Sequence, residues 1–303
     1  MIFITGCNGF VGQNLINKLS AQGEKVIGID PIEQRHYNKA NSFKFLKAST
    51  LDKGLLLELF KEHKPSTIIH MGMVSTPKDA LQNPELAKKS ILEGSLNLME
   101  LALEFNAEKF IHFSSSHVYG DINKQSISEE ETPQPKSLYG KIKWDTEQRL
   151  RKLSHSTNLR THIIRPTSVY GPNDPGMRVV SLFIERAIKN QPLIIKDSLS
   201  RLDFTYIEDL LEGVQLLLST ELDDGITINL SRGEGRSLID LAKVIQTHLP
   251  ETIYEDQSVE DSKKTVKGCL DIGRAKRLLG YEPKVDLEAG IKKILETQSK
   301  QWP

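Results

Sequence analysis

The sequence predicts a doubly wound α/β fold: a parallel sheet flanked by helices, with a smaller C-terminal domain interleaved with it. Three observations carry this reading. Short β-rich runs alternate with longer helical patterns through the first half, glycines separate the first strand from the first helix, and the pattern loosens after Pro166. Strand–helix alternation implies parallel strands joined by right-handed crossovers. The 303 residues suit one large domain or two intertwined ones, at roughly 100–200 residues per domain.

Ile2-Phe3-Ile4, Val26-Ile27-Gly28-Ile29, Thr67-Ile68-Ile69, Phe110-Ile111-His112-Phe113 and Thr161-His162-Ile163-Ile164 read as buried parallel strands, because each is a short, mostly apolar run. Phe43-Lys44-Phe45-Leu46 is a further short strand. Helices are expected near 10–22, 52–63, 84–106 and 137–157. The one at 84–106 opens at Pro84, which suits a first helical turn. Leu92, Leu96, Met99 and Leu103 mark one apolar face of it, and Leu98, Leu101, Ala102 and Phe105 a second. A helix apolar on two sides packs on the sheet and on a second subunit, or is fully buried in a monomer. Beyond Pro166, Pro172, Pro175 and Pro192 with Gly171 and Gly176 mark loops around a helix near 177–190. Ile226–Leu230 reads as a strand, and Ser237 caps a helix through Leu238, Leu241, Val244 and Ile245. The expected domains are 1–166 with 205–230, and 167–204 with 231–303.

Composition narrows the class of function. Lys+Arg and Asp+Glu are both 40, so no excess of positive charge exists to displace phosphate counterions, and a nucleic-acid partner is not expected. Cys7 and Cys269 cannot build a disulfide framework or a four-ligand zinc site, and no metal is expected. They fit a reducing compartment. No run of eighteen apolar residues exists and the first residues lack the basic region of a signal peptide, so a cytoplasmic protein with no membrane partner is expected.

Thr5-Gly6-Cys7-Asn8-Gly9-Phe10-Val11-Gly12 follows the first strand directly and opens the first helix. Its spacing differs by one residue from G-x-G-x-x-G, but the mechanics match a Rossmann-type dinucleotide site. Gly6 permits the turn, Gly9 lets a pyrophosphate approach the backbone, and Gly12 lets the helix pack on the strand. The segment Gly6–Gly12, with Asn8, Phe10 and Val11, is therefore the expected cofactor loop, with phosphates at the helix N-terminus. Asp30 ends the second strand, eighteen residues past Gly12. A carboxylate there accepts hydrogen bonds from adenosine ribose hydroxyls and repels a 2′-phosphate, favouring NAD over NADP. Arg35 nearby would suit the 2′-phosphate, and Asp30 could alternatively just cap the loop before Pro31.

Tyr139 and Lys143 lie four apart at the start of a helix, hence on one face. An ammonium near a phenol lowers the phenol pKa from ~10 toward the working pH. Such a tyrosine can remove or return a hydroxyl proton while hydride moves to or from nicotinamide.

Phe113-Ser114-Ser115-Ser116-His117-Val118-Tyr119-Gly120 stands at the end of the preceding strand. Here the chain resembles the extended short-chain dehydrogenase/reductase family, in particular its NAD-dependent sugar epimerase/dehydratase group. The likeness spans nearly the whole length. It continues through Arg165-Pro166, Val169-Tyr170-Gly171-Pro172, Asp203-Phe204-Thr205-Tyr206-Ile207-Glu208-Asp209, Asn229–Glu234 and Leu279-Gly280-Tyr281-Glu282-Pro283. The resemblance implies Tyr139 as the acid/base, Lys143 as holder of the nicotinamide ribose, and Ser115 as the hydroxyl bonding the reacting oxygen. It implies cofactor contacts from Met71-Gly72-Met73 and Pro166, with Ser114 structural or cofactor-adjacent. It implies substrate contacts from Ser115, Ser116, His117, Tyr139, Ser168 and Arg201, and a homodimer paired through the helices at 84–106 and 137–157.

Departures from the family pattern sharpen the expectation. Dehydratases and decarboxylases of the family carry an acidic residue before V-Y-G, where this chain has Ser116 and His117. Epimerases carry small neutral residues there and fit better, with His117 read as an exposed or substrate-wall residue. His36, His70, His112, His155 and His162 read as core or surface residues. Ala48-Ser49 replaces a Gly-Asp pair that serves adenine. The family's R-D-F, whose arginine contacts a nucleotide diphosphate, is Leu202-Asp203-Phe204, with Arg201 one position early; the family's later arginine, before a G-D-x pattern, is not evident, and Lys263 and Lys264 are the nearest cations to it. A lysine does not replace a bidentate arginine on a diphosphate. The leading expectation is an NAD-dependent epimerase of a sugar, nucleotide-linked. The alternatives are a net sugar dehydrogenase or keto-sugar reductase on the same residues and, least favoured, a non-catalytic dinucleotide sensor.

Overall fold

The structure is a computed structural model that describes residues 1–33, 42–122, 124–174, 178–198, 200–258 and 268–299. Arg35, His36, Pro175, Gly176, Lys263 and Lys264 lie outside the described residues. The chain divides into two compact units: Met1–Gly120 with Thr132–Arg165 and Thr220–Ile228, and Asp121–Glu131 with Pro166–Ser219 and Asn229–Pro303. Residues 121–131 and 205–219 thus group with the second unit, whereas the sequence boundaries place them in the first. The helix Ile207–Ser219 buries Leu210, Leu211, Val214 and Leu217, and its Asp209 accepts the backbone N–H groups of Lys284 and Val285. Short sequence distance did not decide this; burial did.

The first unit is built on β1 (Ile2–Thr5), α1 (Phe10–Ala21), β2 (Val26–Asp30), β3 (Phe43–Lys47), α2 (Lys53–His63), β4 (Thr67–His70), α3 (Pro77–Gln82), α4 (Pro84–Lys88), α5 (Gly94–Glu104), β5 (Lys109–Phe113) and α6 (Leu138–Ser154). With strands Arg160–Pro166 and Thr227–Leu230 they form a seven-stranded sheet, in the order 227–230, 160–166, β5, β4, β1, β2, β3. The pairs β1·β2, β1·β4, β2·β3, β4·β5 and β5 with 160–166 are parallel. The strand order reverses between β1 and β4, and Thr5 pairs with His70 at their carboxyl ends. In open α/β sheets that is where ligands bind.

Each expected strand of the first half is present. β1, β2 and β5 are buried throughout, whereas β3 is an edge strand with Lys44 and Lys47 exposed. One helical expectation is corrected. Residues 84–104 do not form a single regular α-helix: a π-turn at Lys89–Glu93 separates α4 from α5, and the Gly94 N–H reaches back five residues to Lys89 O. Periodicity cannot foresee this, because one extra residue in a turn rotates the apolar face without erasing it. Pro84 does occupy the first turn of α4, with Asn83 capping Leu86 N.

His70, His112 and His162 are wholly buried on the sheet. Burial and the charge of Lys143 pull His70 down to about 3. Burial, with Lys109 and Arg160, pulls His162 to about 4. His112 is held well below the ordinary histidine value by burial first and Lys143 second, and neither ring nitrogen of His112 or His162 finds a partner among the described residues. Because the folded values lie below the unfolded ~6.5, the unfolded chain binds more protons, and stability present above that pH is lost as pH falls toward the folded values. We expect the slope below about pH 6 to approach three protons, about 4 kcal/mol per pH unit. Urea unfolding between neutral pH and pH 5 checks this, and a flat profile would refute it.

Among the described residues the second unit contains four two-stranded ladders, including Arg201–Asp203 antiparallel with Gly235–Ser237 and Thr205–Tyr206 parallel with Val169–Tyr170. The expected cap is present: Ser237 and Asp240 form a reciprocal capping box at the start of helix Leu238–His248. Asp203 is buried and accepts bonds from Ser231 Oγ (2.8 Å), Leu270 N (3.0 Å), Arg232 N and Gly233 N (3.1 Å each). It therefore staples three segments of this unit together. Among the described residues no helix is long and apolar enough to cross a membrane, and no cluster of His, Cys, Asp or Glu could hold a metal ion.

Candidate active site

The cofactor loop is shaped by two glycines in mutual contact. Gly6 has φ +72°, and a Cβ on it would lie 2.7 Å from Gly72 Cα; a Cβ on Gly72 would lie 2.6 Å from Gly6 N. No side chain fits at either position, so the loops after β1 and β4 touch backbone to backbone. Asn8 braces the same loop. Its Nδ2 donates to Ile32 O (2.8 Å) and Glu33 O (3.0 Å), and its N–H donates to Asp30 Oδ2 (3.1 Å). Asp30 Oδ1 accepts from Ile32 N at 3.0 Å. Asp30 thus caps the turn after β2, at the end of the strand where the sequence places a ribose contact.

Phe10 and Gly12 are buried in the first turn of α1, with Val11 between them. Gly9 is the exposed N-cap, no side chain caps the helix, and its first turn holds no acidic residue. Such a start presents backbone N–H groups and a positive dipole end without a competing carboxylate.

The predicted catalytic residues converge at the end of β5. Ser115 is buried and its Oγ accepts from His117 N (3.2 Å), which folds residues 116–118 into one 3₁₀ turn. Ser137 caps α6 by accepting from Gly140 N, placing Tyr139 in the first turn. A Cβ on Gly140 would lie 2.4 Å from His117 O, so only glycine lets α6 approach that turn. The Tyr139 ring is buried among Ala80, Ala87, Ile91, Leu92 and Ile142. Exposed His117 packs edge-on against it, centroids 5.7 Å apart, and half-buried Ser116 precedes it.

Lys143 Nζ lies 5.7 Å from the Tyr139 ring centroid and donates to Phe113 O (2.6 Å) and Met73 Sδ (2.7 Å). Burial pulls this ammonium down to about 7, against the opposing pull of the Glu147 carboxylate. Met71, Gly72 and Met73 therefore join the glycine loop to the lysine.

Four residues that hydrogen-bond around the site were not singled out for it by the sequence: Thr5, His70, Ser95 and Glu147. Glu147 is buried one turn beyond Lys143 and accepts from Ser114 Oγ, from Arg165 Nε (3.0 Å) and Nη2 (2.6 Å), and from Arg151 Nη2 (3.0 Å). A glutamate on the inner face of α6, between Lys143 and Leu150, was the available signal. Ser114 is accordingly structural. Pro166, Ser168 and Arg201 belong to the second unit: Pro166 closes its strand, Ser168 has φ 39°, and Arg201 is exposed. Side chains alternate across a strand, so Arg201 does not share the face of Leu202. The cross-strand partner of Leu202 is Arg236, whose guanidinium bonds Glu288 at 2.8 Å.

A doubly wound sheet with a glycine loop after its first strand and a Ser/Tyr/Lys group beyond its fifth is the arrangement of the extended short-chain dehydrogenase/reductases. The model of the NAD dependent epimerase/dehydratase family matches residues 2–231, and the chain belongs to that family. A UDP-glucuronate 4-epimerase of Thermodesulfobacterium geofontis is 27% identical, with 96% of this chain and 94% of that one covered. UDP-glucuronic acid decarboxylase 4 of Arabidopsis thaliana is 30% identical over 96% of this chain and 66% of its own length. A solved UDP-glucose 4-epimerase of Thermotoga maritima, with UDP-glucose, matches at TM-score 0.90 and 28% identity, covering 100% of this chain and 99% of that one. The residues present fit the NAD that the family's description names: an exposed glycine N-cap, a first turn free of acidic residues, and Asp30 at the end of β2.

Proposed function

We propose that this protein is an NAD-dependent epimerase of UDP-linked sugars, inverting a ring carbinol, at carbon 4 by the likeness of its relatives, through transient oxidation and re-reduction. The observation that carries the reading is the grouping of Ser115, Tyr139 and Lys143 beside the cofactor loop. Bound NAD supplies a reversible two-electron acceptor. Tyr139 takes the proton of the reacting hydroxyl and returns it, and Lys143 favours the phenolate that does so. Ser115 Oγ accepts the His117 N–H, which leaves its own proton to hold the sugar oxygen. Ser116 and His117 supply no carboxylic acid where the family's dehydratases and decarboxylases carry one, and epimerisation needs none because nothing leaves the ring.

The test is to incubate purified protein separately with UDP-glucose and UDP-glucuronate and separate the products. The expected result is the 4-epimer of one of them, with dinucleotide released on denaturation and no net growth of reduced-nicotinamide absorbance. Stoichiometric reduced nicotinamide, or loss of carbon dioxide to a UDP-pentose, would overturn the epimerase reading.

The same reading takes the protein to be a cytoplasmic homodimer, paired through the helices of 84–104 and α6. Leu86 within the 84–104 segment is 46% exposed, Leu81 on the adjacent α3 68% and Leu153 on α6 37%; Cys7 and Cys269, which form no disulfide with each other, suit a reducing compartment. Sedimentation should give twice the 34.2 kDa chain mass, and a monomer at micromolar concentration would refute the dimer.

A further inference from the structure

His70 stands in the middle of a one-way hydrogen-bond chain. Ser95 Oγ donates to Ile91 O, inside the π-turn, so Ser95 has only its lone pairs to offer His70 Nε2 at 2.9 Å. The proton on the ring is therefore on Nε2, and Nδ1 is bare. Nδ1 accepts from Thr5 Oγ1 at 2.7 Å. With its one proton committed, Thr5 Oγ1 is purely an acceptor, and it receives the N–H groups of Gly72 (2.9 Å) and Met71 (3.2 Å). Gly72 is the residue pressed against Gly6, and Met73 contacts Lys143. The far end of the loop is tied to the same turn, since Val74 N donates to Ser90 Oγ at 3.2 Å.

We propose that His70, as the neutral Nε2–H tautomer, is a positioning residue that fixes the cofactor loop 71–73 to β1 and to the π-turn, so that cofactor retention depends on it while the chemical step does not. A protonated or flipped ring would point N–H at the Thr5 hydroxyl and take away the orientation that receives Gly72. The interrupted helix has a purpose in this account, because the π-turn carries the carbonyl that sets the direction of the whole chain. The proposal rests on the reading of loop 71–73 as a cofactor contact.

Two measurements separate it from that reading. Nitrogen-15 NMR of the cofactor-free protein should show His70 Nε2 protonated and Nδ1 bare; the opposite tautomer overturns the proposal whatever the protein binds. Titration with NAD then compares His70→Gln, which keeps a donor toward Ser95 but no acceptor for Thr5, with His70→Asn, which keeps the acceptor at the Nδ1 position. Thr5→Val removes the hydroxyl at constant volume. His70→Gln and Thr5→Val should weaken NAD about tenfold, with kcat at saturating NAD within about threefold of wild type, and His70→Asn should recover most of the affinity. Equal affinities in all three variants, or a loss of melting temperature with unchanged NAD affinity, would overturn the proposal. If His70→Gln fails to fold, Thr5→Val and the tautomer decide. Wild-type protein that binds no NAD would instead refute the function proposed for the chain.

Discussion

Tyr139→Phe is expected to lower turnover of a UDP-sugar about a thousandfold, with bound NAD and melting temperature nearly unchanged. The ring is 5% exposed and packs against Ile91, Leu92 and Ile142, and phenylalanine occupies the same volume. Only the phenolic oxygen is removed, and with it the proton-exchanging group of the mechanism proposed above. Lys143 keeps its bonds to Phe113 O and Met73 Sδ, neither of which involves the phenol. Product formation and dinucleotide content, measured on the same preparation, check this. A Phe variant within tenfold of wild type would remove the tyrosine from the chemistry.

The second large effect concerns stability. Glu147→Gln should destabilise the fold by about 3–5 kcal/mol. Glu147 is 0% and Arg165 2% exposed, and their bidentate pair lies inside the protein. Arg165 also donates to Tyr119 OH (2.9 Å), and its guanidinium lies 4.7 Å from the Tyr119 ring centroid and 5.7 Å from that of Trp144. A guanidinium does not give up its proton in a protein, so in Glu147→Gln it stays ionised and is left buried without the carboxylate it pairs with. The joint change Glu147→Leu with Arg165→Met removes both charges and should recover most of the loss, because much of the single-variant cost is the stranded arginine. Urea unfolding of the three proteins checks this; a single variant within 1 kcal/mol of wild type, on the order of an exposed pair, would show that the pair is not buried in solution.

The consequence reaches the site through the end of β5. Three successive residues there are held: Phe113 O by Lys143, Ser114 Oγ by Glu147, and Ser115 Oγ by the turn whose carbonyl meets Gly140. Helix α6 supplies Gly140, Lys143 and Glu147, which lie three and four residues apart on one face. The tyrosine and the serine are therefore set by one strand–helix contact, so the loss in Glu147→Gln should include catalytic efficiency as well as stability.

Much of this was legible in the chain itself. Alternating strand and helix patterns are local, and the strands at 2–5, 26–30, 67–70, 109–113 and 160–166 follow from apolar runs too short for helices. The glycine loop and the four-residue spacing of Tyr139 and Lys143 were readable because their chemistry is dictated by backbone geometry over a few positions. What only the tertiary structure decided is who meets whom across sequence distance. The Gly6–Gly72 contact spans two strands, and the chain from Gly72 through Thr5, His70 and Ser95 to Ile91 joins β1, β4 and the π-turn. Glu147 finding Arg165 and Ser114 is of the same kind. A polar residue in an apolar pattern carries no local mark of its partner; the partner is chosen when burial forces every polar atom to find one, and that is settled by packing.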